Sequence, residues 1–479
     1  MPLTWSISCD ISLKLKNRNY DMKKIIQLNL LFLFFINTPF IQSQTWSKLG
    51  DGLDYSVNAI AYFNGSIYAG SDLVYMWNGN SWTAITDGMN GALGVTEIDA
   101  MAVNNNTLFA GGTFFVTTPD LDWYNYAARL DNGSWTTCGS GLGNDGWCMN
   151  DIPLALISYG GSLYAGGKFT DAGGSPLDPQ TAMYIARFDG AIWNPVGGGL
   201  DEHITDMTIY NNQLIVSGYF QNAGGVQANY IAAWDGGSWH ALGSGMSNGY
   251  QICKVTALTI HNGYLYAGGL FDTAGNKFTK NIAKWDGVSW SPVGDGINSQ
   301  VYSLISYNGN LYAGGNFSIA GGGPGNYIAK WNGVQWFDVD GGTDGPVNFF
   351  LVQDNKLYVG GSFSSAGNQP AKNIAVWSDG ITDVNQNRVS IINEFNLYQN
   401  YPNPFNPSTS IKYTVPFTQS VTLKIYDIIG NEIATLVNGE KSAGDHEIKF
   451  DASHLSSGVY FYKLQAENYV STKKMILIR

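Results

Sequence analysis

Charge is scarce in this 479-residue chain. Asp, Glu, Lys and Arg make up only 13% of it, with 25 basic against 37 acidic groups and a net charge of −12. Residues 1–43 hold five of the basic and two of the acidic groups, which leaves 20 against 35, or −15, for the remainder. A phosphate backbone repels such a chain and no basic cluster offsets the repulsion, so nucleic acid is excluded as a partner. Histidine is scarce too, five in all. His203, His240 and His261 show no ligand spacing with each other or with cysteine, so neither a metal nor another cofactor is expected. Runs rich in Ala, Leu, Glu and Lys, which long helices need, are missing. In their place are 59 Gly, 15 Trp and 14% aromatic residues, a composition of short strands and tight turns, too aromatic for a disordered chain.

Long apolar runs are missing except near the amino terminus. From Met22 the chain reads MKKIIQLNLLFLFFINTPFIQSQ. Lys23 and Lys24 precede an apolar core from Ile25 to Ile36, and Ile41 and Ser43 stand where a signal peptidase cuts, leaving Gln44 first. Met22 is the better start, and an unusually long leader from Met1 is the alternative. The apolar core is too short for a membrane span, so the mature chain is expected to carry no transmembrane segment. Cys9 leaves with the leader. Cys138 and Cys148 are spaced for a disulfide in an exported protein, at even odds with two free thiols, and Cys253 is left over.

Against these absences stands a repeat. NGYLYAGGLF begins at Asn262 and NGNLYAGGNF at Asn308, and related phrases centre on Tyr68, Phe109, Tyr164, Ile215 and Tyr358. A second phrase, near Y-I-A-x-W-[DN]-G, follows each one. Its last large residue is Trp77, Leu130, Phe188, Trp234, Trp285, Trp331 or Trp377. A third phrase, near W-x-x-[LV]-G-x-G, has its tryptophan at 46, 82, 135, 193, 239, 290 and 336. The spacing is that of a four-stranded blade. Within 301–339 hydrophobic alternation divides VYSLISY, LYAGGNF, YIAKW and QWFDV into four strands, and NGN and NGV supply tight turns. Paired glycines inside a strand imply close approach by a neighbour.

The first phrase of the mature chain is a fourth strand without its first three, and the last unit, ending at Trp377, is three strands without a fourth. Pairing 45–49 beside 373–377 completes a seventh blade and removes two sheet edges. An open solenoid leaves both fragments unpaired. The expected fold is all-β, a seven-bladed β-propeller of four-stranded blades over 44–380, and the glycine pairs resemble those of kelch-like propellers.

Residues 381–393 read as a polar linker. Its DVNQN has the start of a calcium loop without the later carboxylates. Over 394–479 alternation marks VTLKIYD, HEIKF, GVYFYKLQ and KKMILI as strands of a small Ig-like β-sandwich. Its motifs are YPNPFNPST (Tyr401, Pro402, Asn403, Pro404, Phe405, Asn406, Pro407 and on to Thr409), IYDIIGNEI, SSGVYFYKL with Gly458 and Tyr460, and a basic terminus with Lys473, Lys474 and Arg479. This segment resembles the type A C-terminal sorting domain of the type IX secretion system of Bacteroidetes and related bacteria. The resemblance implies the secretion machinery as a partner and passage across both membranes. It also implies cleavage near the domain's start, with release of the cargo or its attachment to the surface.

Turns between first and second strands, and between third and fourth, are short in every unit, so loop diversity is expected on the opposite face. Its longest loops hold Asp120, Asp122, Trp123 and Tyr124, then Asp145, Trp147 and Asp151, then Asp178. Aromatic rings beside carboxylates suit sugars, and packing between blades is the plainer role for Trp123 and Trp147. No nucleophile elbow, phosphate loop or copper-oxidase ligand set is present. Three readings stand: a binding or adhesion module for polysaccharide or a surface protein, a glycan-active enzyme using acids such as Asp120/Asp122 or Asp201–Glu202, and a purely structural surface protein.

Overall fold

The computed structural model describes residues 44–91, 96–116, 126–139, 142, 152–175, 178–249, 252–378, 395–400, 402–415, 419–442, 444–466 and 469–478. The leader (Ser43 included), the DVNQN stretch and the segment 381–393 lie outside them. No helix occurs among the described residues, hence none long and apolar enough to cross a membrane.

Seven sheets among the described residues share one pattern of four antiparallel strands; six follow chain order, the second of them with Met89–Gly91 added, and the seventh takes its fourth strand from Thr45–Lys48. The sixth is representative, with Val301–Tyr307, Asn310–Gly315, Ile328–Trp331 and Trp336–Asp338. The turn between its first two strands places Asn308 at φ 46° and Gly309 at φ 71°, the left-handed pair of a two-residue hairpin. First strands of neighbouring sheets touch in succession, and that of the last sheet, Val347–Gln353, touches that of the first, Ala59–Phe63. This cyclic stacking of antiparallel sheets is a β-propeller.

The paired glycines have separate tasks. At the first of each pair the next sheet's leading apolar side chain closes on the backbone. A Cβ on Gly268 would meet Val301 at 2.6 Å, one on Gly314 would meet Val347 at 2.5 Å, and one on Gly360 would meet Val57 at 2.6 Å. The same fit joins Gly70 to Ile98, Gly111 to Pro153 and Gly166 to Ile204. In the fourth sheet Ser217 stands at this position, fully buried. At the second glycine a Cβ would strike a carbonyl of the sheet's own first strand or the residue before it, as Gly315 would strike Gln300 and Gly269 would strike Lys254. A β-bulge in each first strand from the second sheet to the seventh makes room for this contact.

The fourth-strand tryptophans tie the outer rim. Each indole N–H donates to a carbonyl of the preceding sheet: Trp82 to Leu49 (3.1 Å), Trp135 to Ile85 (3.1 Å), Trp193 to Cys138 (3.0 Å), Trp239 to Gly197 (3.1 Å), Trp290 to Leu242 (2.9 Å), Trp336 to Val293 (3.1 Å) and Trp46 to Val339 (2.9 Å). In six sheets the indole also tilts against the large aromatic residue of the third strand, with centroids 5.1–5.5 Å apart. Closure follows the expected route: Thr45–Lys48 pairs antiparallel with Ile374–Ser378, Trp46 opposite Trp377.

The C-terminal residues form two further sheets. One holds Asn396–Leu397, Ser408–Val415 and Gly444–Asp451; the other holds Gln419–Tyr426, Glu432–Lys441, Gly458–Ala466 and Tyr469–Leu477. Alternate residues such as Ile411, Tyr413, Leu423, Ile425, Tyr462 and Met475 meet in one core, a small β-sandwich.

Gly314→Ala should lower stability by about 1–3 kcal/mol, because Val347 and Phe350 have no room to yield. Gly309→Ala, with open space but φ 71°, should cost only about 1 kcal/mol. Urea denaturation of the two variants checks the order.

Candidate functional site

The second-to-third and fourth-to-first connections meet at one end of the sheets. In the fourth to seventh sheets they follow a single plan. A short hairpin, such as Asn222–Ala223 with Val226–Gln227, lies against the preceding connection through bridges such as Leu200 to Ala223 and Ile297 to Ala320. In the fourth, sixth and seventh sheets one side chain caps it, and in the fifth Ser247 O accepts from Asp272 N–H while Ser247 Oγ lies 2.6 Å from Thr273 Oγ1. Asp201 Oδ1 accepts from the backbone N–H of Gln221 (2.8 Å) and Asn222 (2.9 Å), Asn298 from Ser318 and Ile319, and Asp344 from Ser364 and Ser365. Diversity on this face is therefore narrower than the sequence suggested. Asp201 is engaged in the cap, and Glu202 Oε1 lies 2.8 Å from His203 Nδ1.

Inward of these hairpins the bulges turn polar side chains toward the neighbouring sheet. Thr205 Oγ1 donates to Val255 O (2.6 Å), Thr256 Oγ1 to Val301 O, Asn348 Nδ2 to Asn58 Oδ1 (3.0 Å) and Asn58 Nδ2 to Glu97 Oε1 (2.9 Å). Asp206 accepts from its neighbour's N–H at Met207 (2.7 Å) and across the seam from Leu258 N–H (2.6 Å). Burial pushes its carboxyl up to about 7 against those two bonds. Asp99 is pushed up to about 7 by burial and by the like charge of Glu97, with Lys168 opposing. Next to them His203 stacks on Tyr219 with centroids 4.1 Å apart, and Lys254 covers the same ring at 5.3 Å. Burial lowers the His203 pKa, Glu202 raises it, and Lys168 and Lys254 lower it again. Both oxygens of Asp206 are engaged by backbone, so this carboxyl staples two sheets rather than serving as a free acid. Sequence reasoning passed over these staples because the bulge position carries Asp, Leu, Tyr or Asn in four sheets and Thr in only two.

Asp120, Asp122, Trp123, Tyr124, Asp145, Trp147 and Asp151 lie outside the described residues, as does Cys148. Asp178 opens the strand Asp178–Thr181, paired with Asp171–Ser175. Cys138 is a free thiol, fully buried, and pushed up to about 12 by that burial. His240 is exposed, with Nε2 2.7 Å from Asp235, and His261 is buried. No group of three or more His, Cys, Asp or Glu able to hold a metal occurs among the described residues.

In the C-terminal sandwich the Pro-Asn-Pro-Phe motif is a clasp on the last strand. Asn403 Oδ1 accepts from Ile476 N–H (2.9 Å), Phe405 N–H donates to Ile476 O (2.9 Å), and Ile478 N–H returns a bond to Phe405 O (3.0 Å). The Phe405 ring is buried in the sandwich core and Pro407 O accepts from Ala452 N–H. Gly458 opens the strand opposite Leu477, and Tyr460 OH donates to Ser456 O (2.9 Å). Lys474 is exposed on the last strand, while its carbonyl accepts from Gln399 Nε2 (2.8 Å). Tyr401 lies outside the described residues; Pro402, whose carbonyl takes Thr409 Oγ1, Pro404 and Asn406 complete the clasp.

Residues 399–478 match the family described as the secretion system C-terminal sorting domain, and residues 353–375 match a β-propeller domain of unknown function. The chain is an exported β-propeller protein whose C-terminal domain marks it for type IX secretion, to the cell surface or the medium. Among solved structures it is similar to one from Porphyromonas gingivalis: PorZ, described as an essential bacterial surface component of the type-IX secretion system. The identity is 14% and the TM-score 0.46, over 89% of this chain and 60% of that one. The chain thus spans less than two thirds of PorZ, and a likeness at that score carries no functional argument. No curated protein matches the chain.

Two predictions follow from these geometries. Asp206 binds its proton more tightly folded than unfolded, so its contribution to stability is full below about 4 and is lost as pH rises through about 7. Asp206→Asn should flatten the decline in melting temperature between those values; an unchanged pH profile refutes the assignment. Removal of residues 394–479 should leave the propeller inside the outer membrane, as read by cell fractionation and protease accessibility.

Proposed function

We propose that the mature chain is a binding or adhesion module that recognises polysaccharide outside the cell, on the loop face of a closed, seven-bladed ring spanning 44–380. A linker over 381–393 joins this ring to the sorting domain at 394–479. The observation that carries the reading is a contrast. Four successive sheets, the fourth to the seventh, build the loop face around one short hairpin, with a side-chain cap in three of them, whereas the second and third depart from that plan in sequence, with Asp120, Asp122, Trp123, Tyr124, Asp145 and Trp147 in their longer loops. A rigid scaffold with diversity confined to one sector is the usual setting of a recognition site. Flat aromatic rings take the apolar face of a sugar, and carboxylates take its hydroxyls. Export to the outside places such a site among surface glycans.

The mature chain applied to a broad glycan array should show saturable binding, and Trp123→Ala and Trp147→Ala should each reduce it at least tenfold. If no glycan is retained but a surface protein is, the module recognises protein instead. Retention of neither points to a structural role.

A further inference from the structure

The last residue of each first strand faces the seam with the next sheet. In three sheets it is a tyrosine. Tyr159 OH donates to Asn212 O (3.1 Å), and Tyr307 OH donates to Asn355 O (2.9 Å). The Tyr210 hydroxyl comes within 3.9 Å of where a Cβ on Gly287, in the next sheet's outer turn, would sit. Each ring fills its seam. In the fifth sheet the corresponding residue is His261, and its shorter side chain stops early. Asn262 Nδ2 donates to His261 Nε2 (3.0 Å), which leaves the proton on Nδ1 to be donated to Ser306 Oγ (2.8 Å). Across the seam lies Gly333, the counterpart of Gly287.

Between His261 and Gly333 is a cavity of about 180 Å³. Where the sister seams hold a tyrosine ring, this one has room for a single pyranose ring. Tyr264, Tyr266 and Trp331 supply aromatic walls. Lys284 stands at the edge with its ammonium 4.4 Å from the Tyr264 centroid and makes no ion pair among the described residues. Asn262, Tyr264 and Gly333 are exposed, so the cavity opens to solvent on the short-turn face. Burial lowers the His261 pKa to about 4, so the imidazole is neutral near neutral pH and Lys284 is the lining's one fixed charge. Aromatic walls facing an unpaired cation fit a ligand with an apolar ring face and a carboxylate.

We propose that the seam between the fifth and sixth sheets binds the carboxylated pyranose of an acidic glycan, with the ring against Tyr264 and Trp331 and the carboxylate on Lys284. The site lies on the face opposite the long loops and does not depend on them.

The test titrates the intact mature chain with methyl β-glucuronide and methyl β-glucoside by saturation-transfer NMR. The glucuronide should bind with a dissociation constant on the order of 1 mM, expected for so small a ligand, and the glucoside about tenfold more weakly. His261→Tyr, which restores the residue of the sister seams, should abolish binding while keeping the melting temperature. Lys284→Met should erase the preference for the acid, and Trp123→Ala should change neither affinity. Equal binding of the two sugars, no saturable binding of the glucuronide, or unchanged binding by folded His261→Tyr each overturns the proposal. If His261→Tyr does not fold, the Lys284→Met result decides alone.

Discussion

Six of the seven seams in the propeller depend on one steric condition: a bare backbone where two sheets meet, with the small Ser217 standing in at the fourth sheet. Val301, Val347 and Val57 reach the strand of the preceding sheet because Gly268, Gly314 and Gly360 offer no side chain. With that contact made, first strands stand close enough for bulge residues to bond across the seam, and fourth strands close enough for each indole N–H to find a carbonyl. A side chain at Gly268, Gly314 or Gly360 would strike that valine and stretch the polar bonds on either side of it. The apolar contacts supply most of the favourable free energy, since burying one Val side chain contributes roughly 1.5–3 kcal/mol. The indole bonds add direction more than strength, at about 1 kcal/mol net each.

Much of this was legible in the chain. The Asn-Gly and Asp-Gly turns, the alternation of VYSLISY and the recurring tryptophans all report local rules, and the structure places them in strands and turns as those rules require. The strand at Trp46 found its partner because an unpaired fourth strand and a sheet lacking one are complementary on paper. The bulge staples were not legible. Asp99, Asn348 and the pair Thr205 and Thr256 share a position but not one chemistry, and only a backbone register shift brings them into line. The seam at His261 escaped for a related reason. A histidine ending a strand is unremarkable until three tyrosines are seen to occupy its place elsewhere. The loop residues chosen for sugar contact rest on residue type alone, which specifies chemistry but not direction.

The two domains use their backbones differently. In the propeller, identity among repeats makes each seam a copy of the last, so departures such as Ser217 or His261 stand out as local events. In the sorting domain nothing repeats, and the clasp of Asn403 and Phe405 on Ile476 is made once. A chain that joins them combines a low-charge stack of sheets with a small terminal address.

The pairing of Thr45–Lys48 with Ile374–Ser378 also sets an order in time. The strand Thr45–Lys48 cannot take its place until residue 378 has followed. Until then the growing arc has an open lip at each end, one of them Ile374–Ser378 without its partner. Six seams can form locally and early, but the seventh demands contact between the two ends of a stretch of more than three hundred residues, from Trp46 to Trp377. Trp46 is therefore a latch thrown last, and its loss should show less in how quickly the sheets assemble than in how often the finished ring springs open.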